Sequence, residues 1–121
     1  MANRLLIATL YSNGSINFIN VTPNNTRLNE GDSVYLIVES GNIAVNGGDT
    51  ATINISFTGT CPFPSPIAPI TGIALGTITS LGTIASTKKK IDADYQITIT
   101  YNDVTYEEDP KMTVKPGDGD I

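Results

Sequence analysis

Five carboxylates in the last third of the chain have the clearest potential for chemistry: Asp92, Asp94, Glu107, Glu108 and Asp109. Carboxylate oxygens are preferred ligands of Ca²⁺, and carboxylate pairs perform acid–base catalysis in glycosidases. The spacing matches no EF-hand loop, however, and Lys111 with residues 88–90, all lysine, can neutralise the same region. Because the chain has no Trp and few aromatic residues, we do not expect a sugar-cleaving cleft. We therefore predict a solvated acidic rim, with a calcium site at these five residues as the alternative.

Histidine is absent and Cys61 is the single cysteine, which removes the residues that most catalytic and metal sites need. Serine and cysteine triads use an imidazole base, and copper and most zinc sites use imidazole ligands. No Lys or Arg lies within 25 positions of Cys61 to activate its thiol. We therefore predict that the protein is not an enzyme, carries no cofactor, and uses Cys61 as a small core residue.

The composition narrows the range of partners. The chain has 121 residues, a net charge of −5 and a charged fraction of 16%, so neither nucleic acid nor an anionic membrane is an expected partner. The apolar run at residues 5–8, which follows Arg4, is too short for a membrane span or for a signal peptide. The expected location is cytoplasmic for the sequence as it stands, and exported or at the cell surface if a leader has been removed.

Apolar and polar residues alternate with a period of two along much of the chain, which predicts β-strands. These strands must position the acidic residues and Cys61. Residues 4–11 are apolar on both faces, as in a buried strand, and Asn13-Gly14 predicts a tight turn that pairs Tyr11 with Ile16 and Thr9 with Phe18. Strands are also predicted at residues 33–39 and 50–58, and one or two strands interrupted by Gly at residues 75–84. Four prolines between residues 60 and 69 predict an irregular crossing.

The C-terminal third gives the clearest strand pattern. Apolar and polar residues alternate over residues 95–101, and Asn102-Asp103 predicts a two-residue turn. The returning strand then pairs Tyr101 with Val104 and Ile97 with Glu108. A closing strand follows at residues 111–115, with its two apolar residues inward, and residues 116–121 are predicted to form a disordered acidic tail.

About eight short strands separated by turns indicate an all-β, antiparallel two-sheet sandwich that occupies residues 1–115 as a single domain. Residues 93–97, Ala-Asp-Tyr-Gln-Ile, resemble the late strand of immunoglobulin-like domains. The stretch from Tyr95 to Val114 is similar to the closing hairpin of bacterial cupredoxin-like and Ig-like domains, and residues 31–34, Gly-Asp-Ser-Val, resemble a strand opening of the same group. The resemblance implies a Greek-key scaffold. It does not imply copper binding, since the copper ligands of cupredoxins include two histidines.

These observations predict a non-catalytic module that binds a protein partner or assembles with itself. Thr-rich strands with few charges leave sheet edges poorly protected against association, which favours an oligomer formed through an edge or a face. The alternative function is a calcium-dependent module that binds a glycan or another ligand through the acidic residues.

Overall fold

The structure is a computed structural model that describes residues 2–116, and it consists of ten β-strands with no helix in that range. The all-β prediction is confirmed. The strands are β1 (Asn3–Asn13), β2 (Ile16–Thr22), β3 (Asn25–Asn29), β4 (Ser33–Ser40), β5 (Ala51–Thr58), β6 (Ile70–Ile73), β7 (Ile78–Thr83), β8 (Ile91–Tyr101), β9 (Val104–Glu108) and β10 (Lys111–Lys115). The predicted acidic tail, apart from Pro116, lies outside the residues that the structure describes.

Hydrogen bonds join all ten strands into one mixed sheet. Its main path runs β3-β10-β8-β9-β2-β1-β4-β7, and β5 pairs with the other edge of β8 and carries β6 on its far side. The sequence predicts about eight strands because β3 and β6 have little alternation of their own. β3 pairs with β10, which has the same length, and β6 pairs with the longer β5.

The expected purely antiparallel pairing is wrong in part. Of the nine strand pairs in the described range, six are antiparallel, and β1–β4, β3–β10 and β2–β9 are parallel. The parallel pairs join strands that are separated in sequence by other strands. Turn signals predict only the pairing of consecutive strands, so these contacts have no local signature in the chain.

The β8–β9 hairpin has the predicted register. Tyr101 pairs with Val104 and Ile97 with Glu108, and both loop residues, Asn102 and Asp103, have positive φ values of 51° and 61°. This is the backbone conformation that a type I′ turn requires.

The β1–β2 hairpin departs from the predicted register by two residues. Tyr11 pairs with Phe18 rather than with Ile16, and the two loop residues are Gly14 and Ser15, with Gly14 at a φ of 64°. In the predicted register the buried Leu10 would lie opposite Asn17. The observed register pairs Leu10 with Ile19 instead, so that apolar side chains meet on the buried face.

Buried residues alternate along the long strands and form one hydrophobic cluster. The two apolar residues of β10 predicted to point inward, Met112 and Val114, are buried, which confirms that prediction. On β4 the buried residues are Val34, Leu36 and Val38. On β1, by contrast, only alternate residues are buried, and Leu5 is 44% exposed. The strand predicted to be buried on both faces therefore has one face outside the core.

Residues 59–69 form the expected irregular crossing without a strand. Phe63, in this crossing, is buried and packs at a tilt against Phe57 with 5.9 Å between ring centroids. Within residues 2–116 there is no helix of the length and hydropathy needed to cross a membrane.

Candidate functional site

The neighbouring strands β2, β1, β4 and β7 carry an apolar surface on the side that faces away from the core. Rows of paired residues cross this surface: Ile78 pairs with Ile37, which pairs with Ile7 on β1. In the next row Tyr35 pairs with Leu5. We call this surface the apolar face, and its outward apolar residues are Leu5, Ile7, Tyr11, Ile16, Phe18, Tyr35, Ile37 and Ile78.

The side chains of the apolar face are more accessible than apolar residues in strands usually are. Ile16 and Ile78 are each 61% exposed, and Leu5 and Phe18 are 44% and 38% exposed. An apolar side chain at an isolated surface position needs no explanation, but a contiguous apolar patch marks an interaction surface or an aggregation hazard. The apolar residues form two patches, one of Leu5, Ile7, Tyr35, Ile37 and Ile78 and a smaller one of Tyr11, Ile16 and Phe18, and the polar row of Asn20, Thr9 and Glu39 lies between them.

A shallow groove opens at the start of β1 within the apolar face. Leu5, Tyr35 and Ile78 line it together with the polar ends of Asn3 and Arg4, and its volume is about 330 Å³. The groove supplies a concave site for an apolar side chain. It contains no pair of groups suited to acid–base catalysis.

The opposite end of the apolar face is aromatic. Tyr11 stacks on Phe18, with ring centroids 5.4 Å apart and planes at 16°. The Tyr11 ring also covers Gly41, where any Cβ would overlap it. Asn42 holds the adjacent edge of β1, since its side chain accepts a hydrogen bond from the Ser12 N–H and donates one to the Ser12 carbonyl, both at 2.9 Å.

Asp32 fixes the strand at the centre of this face. Its side chain is 1% exposed and accepts hydrogen bonds from the backbone N–H groups of Ala2 and Asn29, both at 2.9 Å, and from Arg4 Nε at 3.4 Å. Burial alone would raise the pKa of Asp32, but these two backbone hydrogen bonds and the Arg4 guanidinium lower it below its ordinary value. The carboxylate thereby anchors the start of β1 alongside β4.

The predicted acidic residues on β8 point outward and have lysine neighbours. Asp92 Oδ2 lies 3.8 Å from Lys90 Nζ, and Asp94 Oδ1 lies 3.7 Å from Lys111 Nζ. All four side chains are more than 60% exposed, so each ion pair contributes little to stability. Their main effect is to balance the charge of this end of β8.

The other three predicted residues follow one another at the end of β9. Glu107 is exposed, and Glu108 Oε1 accepts a hydrogen bond from the Asp109 backbone N–H at 2.8 Å. Asp109 and Asp94 line one shallow pocket of about 340 Å³, so the structure brings these two carboxylates to one place. Among residues 2–116, no three His, Cys, Asp or Glu side chains form a group that could hold a metal ion. The calcium site stays a prediction.

Lys88, Lys89 and Lys90 form an exposed turn before β8. They line a shallow pocket of about 490 Å³ together with Thr60 and residues 86–87, 91 and 92. Thr87 organises the turn, because its Oγ1 donates to the Lys89 carbonyl at 2.7 Å. All three lysines are exposed, and Lys90 pairs with Asp92 across the start of β8.

The apolar face is the feature that sequence reasoning missed. The signal was present as uninterrupted apolar runs at residues 5–8 and 34–38, which indicate strands with apolar residues on both sides. The run on β1 predicts burial on both faces, whereas the structure leaves one of those faces outside the core.

No protein-family model matches this sequence, and no curated protein shows significant sequence similarity to it.

Proposed function

We propose that this protein is a non-catalytic, Ig-like β-sandwich module that works by associating with protein through its apolar face. The observation that carries the proposal is the number of exposed or half-exposed apolar residues on the outward side of β2, β1, β4 and β7, above all the row of Ile78, Ile37 and Ile7. A domain with no use for such a surface gains solubility by placing polar residues there.

Strand grouping supports the sandwich. The strands β2, β1, β4 and β7 form one run of neighbours, and β5, β8, β9 and β10 form another around β8. The chain passes from the first group to the second between β2 and β3, where β3 pairs in parallel with β10. The buried residues of both groups belong to one cluster, as they do when two sheets enclose a shared core.

The residue inventory supports a non-catalytic role. The chain has no histidine, and Cys61 is half-buried against the core with its Sγ 3.9 Å from the Ser65 carbonyl oxygen. A thiol in such a position behaves as a small apolar side chain rather than as a nucleophile.

The free energy gained by covering the exposed apolar side chains supports association with a partner. Covering a Leu or Ile side chain that is about half exposed contributes on the order of 1 kcal/mol. Four such residues, Leu5, Ile16, Phe18 and Ile78, therefore offer several kcal/mol to a partner that fits them. The half-exposed tyrosines at the two ends of the face add aromatic contacts, which are common in protein interfaces.

Site-specific photocrosslinking in cells that produce the protein tests this function, because it captures whichever protein lies against the face. A photoreactive residue at an exposed position of the face, Ile78→benzoylphenylalanine, is expected to give covalent adducts with protein. The matched control is Gln96→benzoylphenylalanine at an exposed outward position on β8, and it should give few adducts. Equal yields from both positions, or none from position 78, would contradict the proposal.

A further inference from the structure

We infer that Asn46 is a site of spontaneous covalent modification, at which the side chain loses ammonia and the residue becomes aspartate or isoaspartate. The reaction is favoured where Gly follows Asn, because the backbone nitrogen of the next residue attacks the Asn side chain and Gly has no side chain to hinder it. The chain has two such pairs, Asn13-Gly14 and Asn46-Gly47. The structure places them in different surroundings, and this difference selects Asn46.

The chemistry is an intramolecular displacement followed by hydrolysis. The Gly47 nitrogen forms a bond to Cγ of Asn46, the bond from Cγ to the side-chain nitrogen breaks, and ammonia leaves with the proton that Gly47 gives up. The product is a five-membered succinimide ring. Water then opens this ring at either of its carbonyls, which gives aspartate or isoaspartate without oxidation or reduction. The net change consumes one water, releases one ammonia and adds one negative charge to the chain.

The backbone of Asn13 is held against this ring closure. An Asn must turn about its Cα–C bond until the next nitrogen lies beside its own side chain, and an extended strand residue does not have that rotation. Asn13 ends β1 and pairs with Ile16 in the antiparallel ladder. Gly14, at a φ of 64°, and Ser15 close the hairpin directly after it. Attack at Asn13 therefore requires the end of the hairpin to open first.

Asn46 lies in the irregular loop of residues 41–50, between β4 and β5. Its N–H donates to the Tyr101 hydroxyl and its carbonyl accepts from the Asp49 N–H, both at 3.2 Å, which is the long end of the range for such hydrogen bonds. Asn46 and Gly47 are both exposed. Rotation at Asn46 disrupts a weak turn rather than a strand ladder, so it requires a smaller opening of the structure.

The space around Gly47 also favours the attack. A Cβ at this position would meet no atom within 4 Å, and the same holds for Gly48. The succinimide ring therefore has room to form, and water has access to open it. Gly47 does not have a positive φ, unlike Gly14 and Gly48, so an alanine fits at position 47 without backbone strain.

Isoaspartate at position 46 would change the loop that joins β4 to β5. The main chain of isoaspartate runs through the side-chain carbonyl and is longer by one methylene group. The added atom displaces the turn that the Asp49 N–H closes on residue 46. The new carboxylate also lies in the same turn as Asp49, in a chain whose net charge is already −5.

Peptide mapping of the purified chain, held at 37 °C in mildly alkaline buffer, tests the site. Mass spectrometry follows the exchange of ammonia for water at each Asn over time. In the folded chain we expect Asn46 to convert at least about tenfold faster than Asn13, because the hairpin must open before Asn13 reacts. In guanidinium chloride that unfolds the chain, the two sites should convert at similar rates, since each is an Asn-Gly pair without a fold around it.

Gly47→Ala is the matched variant for the attacking residue. Its methyl group enters open space in the fold but hinders the nitrogen, so conversion at Asn46 should slow by at least about tenfold while conversion at Asn13 stays unchanged. Equal rates at the two sites in the folded chain, or faster conversion at Asn13, would overturn the assignment. Conversion at Asn46 that Gly47→Ala does not slow would also overturn it.

Discussion

The outward faces of the two strand groups differ in composition although the same alternation builds them. On β5 and β8 the outward residues are polar, with Thr52, Asn54, Gln96, Thr98 and Thr100 in adjoining positions. On β1 and β4 the corresponding positions carry Leu5, Ile7, Tyr11, Tyr35 and Ile37, interrupted by the polar pair Thr9 and Glu39. Since both groups bury equally regular apolar faces, the fold alone does not require the outward apolar residues. The outward apolar residues are therefore the feature that the proposed association would use.

The apolar side also has the more elaborate anchoring. Its central strand β1 is held at the start by the buried Asp32 and at the end by Asn42, 30 residues away along the chain in each case. The strands β8 and β9 are joined by a two-residue turn and need no such clamps. Both ends of β1 therefore depend on long-range side-chain hydrogen bonds for their position.

The largest expected effect comes from breaking the Asp32 clamp. Asp32→Ala leaves the N–H groups of Ala2 and Asn29 without their acceptor and removes the partner of Arg4, so we expect a loss of about 3 kcal/mol in the free energy of unfolding. Asp92→Ala, which removes an exposed carboxylate on β8, should leave stability unchanged within error. Urea denaturation measures both. Equal losses would show that the two regions are anchored alike.

The same clamp makes stability depend on pH. Because the folded-state pKa of Asp32 lies below its ordinary value of 3.8, its contribution is fully present above about pH 4 to 5, where the unfolded chain is also ionised. It is lost as the pH falls through the lower, folded-state pKa. The stability difference between the wild type and Asp32→Asn should therefore be constant from pH 5 to 7 and shrink below pH 4. A difference that grows in acid would contradict the assignment.

Crowding the aromatic end of the apolar face should have a smaller effect. Gly41→Ala places a methyl group against the Tyr11 ring, and the ring must leave its stack on Phe18, at a cost of about 1–2 kcal/mol. Gly47→Ala enters open space and serves as the control. In a Tyr11→Ser background, Gly41→Ala should cost little. A cost that persists there would place the strain in the backbone rather than in the ring.

The sequence predicts a strand register where residues close together in the chain determine it, and not where distant residues do. The β8–β9 register follows from alternation and from a turn that Asn and Asp can form, so it could be read from the sequence. The β1–β2 register could not be fixed in this way, because Asn13-Gly14 and Gly14-Ser15 are both acceptable turns. The choice depends on pairing Leu10 with Ile19.

Long-range contacts set the limit for the candidate site as well. The hydrogen bond from Asn29 to Asp32 is local, but the contacts from Asp32 to Ala2 and Arg4 cross 30 and 28 residues. The acidic residues were found as a cluster in sequence, whereas the apolar face is assembled from four separate strands. A linear pattern identifies the first kind of site and not the second.

Two buried tyrosines on β8 offer a finer comparison within the core. Among residues 2–116 the Tyr95 hydroxyl has no hydrogen-bond partner, and burial raises its pKa. The Tyr101 hydroxyl, by contrast, accepts a hydrogen bond from the Asn46 N–H at 3.2 Å. Tyr95→Phe should therefore raise the free energy of unfolding by up to about 1 kcal/mol, and Tyr101→Phe should lower it by about as much. Thermal unfolding of both variants checks the pair, and a loss from Tyr95→Phe would reveal a hidden partner.

Calcium is expected to have the smallest effect on stability. Its addition tests whether the carboxylates of β8 and β9 bind a cation. A site filled to a hundred times its Kd would stabilise the folded state by about 2.7 kcal/mol. The nearby lysines, Lys90 and Lys111, already balance Asp92 and Asp94, so we expect the same Tm in excess Ca²⁺ and in chelator. A rise of several degrees with Ca²⁺ that disappears in Asp94→Asn and in Asp109→Asn would instead establish a cation site at the pocket these two carboxylates share. The acidic end of β8 would then bind a ligand of its own. The two outward faces would differ in the kind of ligand that they bind, a cation or a protein.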